Sequence, residues 1–269
     1  NKDFKFEEPF KGLFTQGMVC HETYKDQNNN WLSPDEIELI GNQYQKKSDP
    51  SQKVKVGPSE SMSKSKKNVV DPENIINNYG ADAVRLFILS DSPPEKDVQW
   101  SNQGVNASNK FLQKIWNLKE TILNRKEKKI STEQEEEIEG EFNNYIFKIE
   151  NLIENFHLNV VIANVYEIYR LLNGCLEREI SNKKLKKHFV NFMRILLPFV
   201  PHLSSECLES MNIKDFSEWP KIDEKYKFKR IVKVALQING KTKDVVEMNS
   251  DLGEKEAIEI GQKNVKVTK

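Results

Sequence analysis

Ser61-Met62-Ser63-Lys64-Ser65-Lys66-Lys67-Asn68 is the stretch on which the reading of this chain turns. It sets small hydroxyl side chains around a lysine in a segment without apolar periodicity. Upstream, Val54-Lys55-Val56 has strand character and feeds into it through Gly57-Pro58. Downstream, Asp71-Pro72-Glu73 is a helix start, with Asp71 at the N-cap and Pro72 at the first helical position. A mobile cationic loop between a strand and a helix suits a polyphosphate. The lysine is a movable point charge, and hydroxyls with backbone N–H groups complete the shell. Composition alone favours the blander reading, a solvated lysine–serine loop.

The 269 residues are enough for two domains or one large one. The 41 basic and 41 acidic side chains cancel, so bulk charge gives no sign of non-specific nucleic-acid affinity. Locally, lysines cluster at 46–67, 183–187 and 225–233, and 133–141 is acidic. Cys20, Cys175 and Cys207 are too far apart for a C-x-x-C metal motif and form no disulfide framework. They are expected to be free thiols in a reducing cytoplasm, with no metal site. No apolar run is long enough to cross a bilayer, and Asn1-Lys2-Asp3-Phe4 does not open a signal peptide. The lack of an initial methionine, and an end at Val265–Lys269 with strand character, lead us to expect a fragment of a longer protein.

Three regions differ in periodicity. In the first, Leu13–Val19 has the character of a short strand, with Gly17 between Gln16 and Met18 where another group can approach the backbone. An ordinary core strand fits these residues equally well. Asn28-Asn29-Asn30 is a polar turn, and Ser33-Pro34-Asp35-Glu36 caps a short helix. Helices are expected over Pro72–Tyr79 and Ala81–Leu89, separated by a left-handed Gly80 and closed by Ser92-Pro93-Pro94. In the second region, from about 101 to 211, apolar residues recur every three or four positions. One stripe is Val105, Leu112, Ile115, Trp116, Ile122, crossed by the stem of Lys119; another is Ile138, Phe142, Ile146, Ile149, Ile153. Further helices run from Leu158 to a stop at Asn173-Gly174, from Ser181 to Pro198, and onward from Pro201, giving a helical bundle. His202, with Glu206 one turn on, reads as a structural histidine at a helix start. In the third region, Ile231–Ile238 and Lys243–Met248 are strands joined by Asn239-Gly240, and Ser250 caps a helix at about 253–261.

The order of the motifs goes beyond composition. Met62-Ser63-Lys64-Ser65 resembles the end of the KMSKS signature of class I aminoacyl-tRNA synthetases. Asn78-Tyr79-Gly80-Ala81-Asp82-Ala83-Val84-Arg85-Leu86-Phe87 resembles the "YGAD-x-x-R-L-F" helix that follows the signature in the leucine, isoleucine, valine and methionine enzymes. Ser61 departs from the usual lysine. Leu196–Glu206 resembles a packing motif of the helical anticodon-binding domain, with Ser205 in place of a glutamate. Five features resemble the leucyl enzymes in particular: Lys66-Lys67-Asn68, where the other three enzymes usually have Leu-Gly-Asn, Gln16-Gly17-Met18-Val19, the segment Ser90–Trp100, Phe111-Leu112 with Trp116, and Val232–Lys241.

The resemblance implies a multidomain α/β plus all-α protein. Residues 1–95 would be the end of a Rossmann-type catalytic domain carrying the KMSKS loop. Residues 96–222 would be a helical anticodon-binding domain, and 223–269 the start of a small α+β tRNA-binding domain. It further implies activation of leucine by ATP, with Mg²⁺ bound by the nucleotide, and transfer to tRNA(Leu) by a cytoplasmic monomer. Lys64 would be the catalytic cation, within an ATP-binding loop of Ser61, Met62, Ser63, Lys64 and Ser65. Gln16, Gly17 and Met18 would form an active-site strand, and Lys66, Lys67, Lys241 and Lys243 would touch tRNA. No HIGH-type motif, leucine pocket or editing domain is found in these residues, so the chain is expected to hold half an active site and to be inactive alone. A non-catalytic tRNA-binding module, a helical interaction protein and another class I synthetase are the alternatives.

Overall fold

The computed structural model describes residues 10, 12–227, 231–238, 241–249 and 253–264. Its first sheet is built on β1 (Val19–Lys25), which pairs antiparallel with β2 (Trp31–Leu32). The turn expected at Asn28–Asn30 forms between them. Asp26 closes it by accepting the N–H groups of Asn28 and Asn30, and Asn29 takes a φ of 63°. After Ser33 comes a single 3₁₀ turn, Pro34–Glu36, in which the Glu36 carboxylate accepts the Ser33 N–H. β3 (Ile37–Ile40), β4 (Gln43–Lys46) and β5 (Asp49–Lys53) form a separate meander.

β6 (Lys55–Ser61) returns antiparallel to β1 and is longer than its sequence suggests, running through Gly57-Pro58 to Ser61. The register slips between Glu22 and Thr23, so Pro58 falls in a bulge where its missing N–H breaks no ladder bond, and its carbonyl accepts from Thr23 Oγ1. The strand expected over Leu13–Val19 begins only at Val19. The preceding N–H groups are committed elsewhere, Gly17 to Pro94 O at 2.9 Å and Met18 to Asp97 Oδ1 at 2.8 Å.

α1 (Pro72–Tyr79) starts as expected: Asp71 accepts the Glu73 N–H at 3.0 Å with Pro72 at the first position. Gly80 has a φ of 81°, but its ψ of 153° is extended rather than left-handed helical. That combination is open essentially to glycine alone, and it lets the chain stop one helix and begin the next at a single residue. α2 (Ala81–Asp91) follows, and β7 (Val98–Gln99) then joins the start of β1 in parallel.

The bundle comprises α3 (Asn102–Asn124), α4 (Thr132–Glu154), α5 (Leu158–Cys175), α6 (Asn182–Leu196) and α7 (Pro201–Ser210). α5 passes through Asn173-Gly174 instead of stopping there, because Leu172 and Cys175 are both fully buried and keep the helix seated. One apolar core runs from Ala83, Leu86 and Phe87 of α2 through Val98 into the bundle, where Ile115, Phe142, Ile162, Phe189 and Phe192 are at or near full burial. Each such side chain contributes about 1.5–3 kcal/mol. Lys119 is buried as its apolar stem requires, with its ammonium 3.4 Å from the Trp116 ring centre and paired to Glu120.

The charge runs of the sequence meet in space. The acidic stretch near 127–141 is helical from Thr132, and it faces the lysines of α6. Lys184 pairs with Glu135 at 3.0 Å, Lys187 with Glu139 at 2.8 Å and, beyond α6, Lys225 with Glu136 at 2.8 Å. Arg125 fastens the segment before α4 to the α5–α6 connection by donating to the carbonyls of Leu176, Arg178 and Ile180.

His188 lies under this acid–lysine face, tilted against Phe142, with neither ring nitrogen hydrogen-bonded and Nε2 3.4 Å from Glu139 Oε2. Burial pushes it down from 6.5 to about 4, against the opposing pull of Glu139 and aided by Lys187 and Lys184. The unfolded chain therefore takes up this proton first. Stability from this group is intact above pH 6.5 and is lost as pH falls towards about 4. Thermal unfolding followed from about pH 7, above this window, down to about pH 5, inside it, should show the loss, and His188→Phe should flatten it; an equally steep profile in the variant would remove His188 as the cause.

Beyond the short α8 (Glu224–Lys227), β8 (Ile231–Ile238) and β9 (Lys241–Asn249) pair antiparallel, and α9 (Glu254–Gln262) follows from Gly253. The expected turn residues Asn239-Gly240 and the expected cap Ser250 lie outside the described residues. All three cysteines are buried and free, and burial pushes the thiols of Cys175 and Cys207 up to about 11, which leaves them unreactive. Among the described residues no helix is long and apolar enough to cross a membrane.

Candidate functional site

β6 delivers the chain to a loop over residues 62–70 that ends at the Asp71 cap of α1. Ser61, expected in the loop, is instead the last residue of β6, paired with Cys20, because the ladder to β1 continues that far. Met62 points the other way from the hydroxyls. It lines an apolar pocket with Val19, Val70, Ile75, Val84 and Trp100, between the loop's near end and α1 and α2. Residues 64–67 form a tight turn, closed by Lys67 N–H to Lys64 O at 3.3 Å, with Lys67 at a φ of 54°. Ser63 Oγ accepts the Lys66 N–H and lies 3.1 Å from Ser65 Oγ.

The three cations of the loop are not equivalent. Lys66 is paired with Glu60, and Lys67 reaches Glu36 at 3.6 Å. Lys64 is exposed and has no carboxylate partner among the described residues. Both ion pairs are partly solvated, so each contributes little and can be exchanged for a stronger anion. Beside the loop, a polar cleft of about 580 Å³ is lined by Ser59, Ser61, Ser63, Lys66, Asp97 and Gln99. Its hydroxyls can meet phosphate oxygens, and so can Lys66 once it leaves Glu60, whose carboxylate lines the cleft with that of Asp97.

Gln16, Gly17 and Met18 come close to the same region, through the Asp97 carboxylate that accepts the Met18 N–H. The close approach at Gly17 is made by protein backbone: a Cβ there would lie 2.1 Å from the Lys96 carbonyl oxygen. His202 is exposed at the start of α7 and its backbone N–H is engaged by Asp82, in keeping with a structural role. Lys243 sits at a register slip in the β8–β9 pair, on the exposed side. The Lys241 side chain lies outside the described residues, and both lysines are in the C-terminal unit, apart from the loop.

One residue of the site carried no separate signal in the sequence. Asn68 is fully buried, although its neighbours Lys67 and Val69 are exposed. Its side-chain oxygen accepts the Ser63 N–H at 2.8 Å, and its nitrogen donates to the carbonyls of His21 and Glu60. The only trace of it in the sequence is the change from lysine to a side chain that both donates and accepts.

Comparison with known proteins places these features in a family. The model of the anticodon-binding domain of tRNA ligase matches residues 135–259, and the model of class I tRNA synthetases (I, L, M and V) matches residues 54–101. The leucine–tRNA ligase of Rickettsia bellii is 38% identical over 266 residues, which cover 97% of this chain and 32% of that protein. That of Rickettsia typhi is 40% identical over 268 residues, covering 94% of this chain and 31% of that protein. The chain thus spans about a third of the length of these curated relatives. Among solved structures, the LeuRS of Agrobacterium radiobacter K84, in a ternary complex with tRNA and LeuAMS, matches with a TM-score of 0.61 and 25% identity, over 78% of this chain and 28% of that one.

Proposed function

Since the chain belongs to the class I aminoacyl-tRNA synthetases, on their leucyl branch, we propose that it serves, within a longer enzyme, to activate leucine with ATP and pass it to tRNA(Leu). Loop 62–68 is the KMSKS loop. Residues 1–95 complete the Rossmann-type catalytic domain, 96–222 form the anticodon-binding domain, and 223–269 open a tRNA-binding α+β domain.

The observation that carries this reading is Lys64, exposed and free of an ion-pair partner among the described residues, on a turn held at both ends beside a polar cleft. In the first step the leucine carboxylate attacks the α-phosphate of ATP, giving leucyl-adenylate and pyrophosphate. Negative charge builds on the leaving phosphates, and a cation aimed there stabilises the transition state more than the bound substrate. Lys64 supplies that cation. Ser63 and Ser65 offer hydroxyls on the same turn, and Mg²⁺ arrives as part of the nucleotide. Lys66 and Lys67 are held by Glu60 and Glu36 and become available to phosphate when the loop moves over ATP. The aminoacyl group then passes to the terminal adenosine of the tRNA. Lys241 and Lys243 add salt-sensitive contacts to its backbone.

Amino-acid-dependent pyrophosphate exchange by the full-length enzyme tests this. Exchange with leucine, and none by the isolated 269-residue chain, is the expected result. Exchange with valine, isoleucine or methionine instead would move the chain to that synthetase. Retained tRNA binding without exchange would make it a non-catalytic module.

A further inference from the structure

We propose that Asn68 is the positioning residue of the ATP loop: its amide fixes both ends of the turn that carries Lys64, so that the lysine swings from a set base. The proposal rests on the reading of Lys64 as the phosphate-binding cation. Asn68 is 0% exposed in a loop that is otherwise exposed or half-buried. Its Nδ2 donates to His21 O on β1 at 3.2 Å and to Glu60 O on β6 at 3.1 Å, with Ser61 O at 3.5 Å. Its Oδ1 accepts the N–H of Ser63, the residue just before Lys64, at 2.8 Å. The environment sets the amide's orientation. Carbonyl oxygens on one side require the NH₂, and an N–H on the other requires the oxygen. An aspartate of the same shape would keep the acceptor, lose both donors and face a row of carbonyl oxygens.

The rest of the loop's bonding is weak by comparison. Two half-exposed or exposed ion pairs, one long backbone bond, the Lys66 N–H bond to Ser63 Oγ and the Ser63–Ser65 hydroxyl contact hold residues 64–67, and all of these can open while Asn68 stays in place. Asn68 therefore divides the loop into a fixed base at 63 and 68 and a movable turn between them. A cation displaced by about 1 Å from a developing charge can lose on the order of a hundredfold in rate, which makes the base worth fixing.

The test is a double-mutant cycle in the full-length enzyme, reading pre-steady-state adenylate formation, the KM for ATP and leucine affinity. Asn68→Ala and Asn68→Asp should each lower adenylate formation by about tenfold or more and raise the KM for ATP, with leucine affinity unchanged. In the Lys64→Ala background, Asn68→Ala should cost almost nothing more, because its effect passes through Lys64. Full multiplication of the two losses would overturn the proposal and leave Asn68 a general structural residue, as would a normal rate in both Asn68 variants. Failure of both variants to fold, read by circular dichroism, would do the same. A silent Lys64→Ala would instead overturn the reading of the loop on which the proposal stands.

Discussion

Lys64→Ala in the full-length enzyme should lower the rate of leucyl-adenylate formation by about a hundredfold or more, or roughly 2.7 kcal/mol of transition-state stabilisation. The size follows from the lysine's surroundings. Lys66 and Lys67 already have carboxylate partners, whereas Lys64 has none among the described residues and opens the turn that the Lys67 N–H closes. Leucine affinity should change little, because the loop addresses phosphates. Two comparisons isolate the position from the charge. Ser61→Lys puts a cation at the end of β6, on a residue tied to Cys20, and should have a much smaller effect. Lys67→Ala removes a cation held by Glu36 and should disturb tRNA use more than ATP use. Pre-steady-state adenylate formation in the three variants decides the matter. A near-normal rate for Lys64→Ala would make the loop a solvated tether.

What could be read from the sequence was what short-range rules control. The Asp71-Pro72 start of α1, the entry of α6 from Ser181, and the apolar stripe through Ile138, Phe142, Ile146 and Ile149 depend on neighbours within a turn or two. What could not be read is set by partners far along the chain. Asn68 sits in a polar run and looks solvated until the carbonyl of His21, 47 residues away, is brought to it. Gln16–Met18 has a strand's composition, but its N–H groups are taken by residues 94–97. Gly80 was legible as a glycine position and not as a conformation, since positive φ is compatible with more than one ψ. The lysines of α6 showed in the sequence only as a local cluster, and two of them are paired across to α4.

The same limitation hid the relation between two motifs. Asp82 and Arg85, in the helix after the loop, and Pro198–Leu203, at the end of the bundle, look like separate signatures. In the fold they form one joint. α7 has no side-chain cap of its own at Val200, and Asp82 supplies one from α2 by accepting the N–H of Leu203 at 2.7 Å and of His202 at 3.4 Å. One turn later Arg85 donates to the carbonyls of Phe199 at 2.9 Å and Pro198 at 2.7 Å, just past the end of α6. α2 thus presents an acid to one helix start and a base to another helix end, each matching the local dipole. Asp82 is only 6% exposed, and Asp82→Ala removes the acceptor of two N–H groups in the first turn of α7. The expected cost is about 2–3 kcal/mol, or a fall in Tm of roughly 4–5 °C for a chain of this size. Asp82→Asn, which keeps one acceptor, should fall between. Adding Arg85→Ala to Asp82→Ala should cost less than the sum of the single changes, because either one unseats the same turn. An unchanged Tm in Asp82→Ala would mean that the buried apolar residues around Leu86 and Phe199 hold α2 on the bundle without the joint.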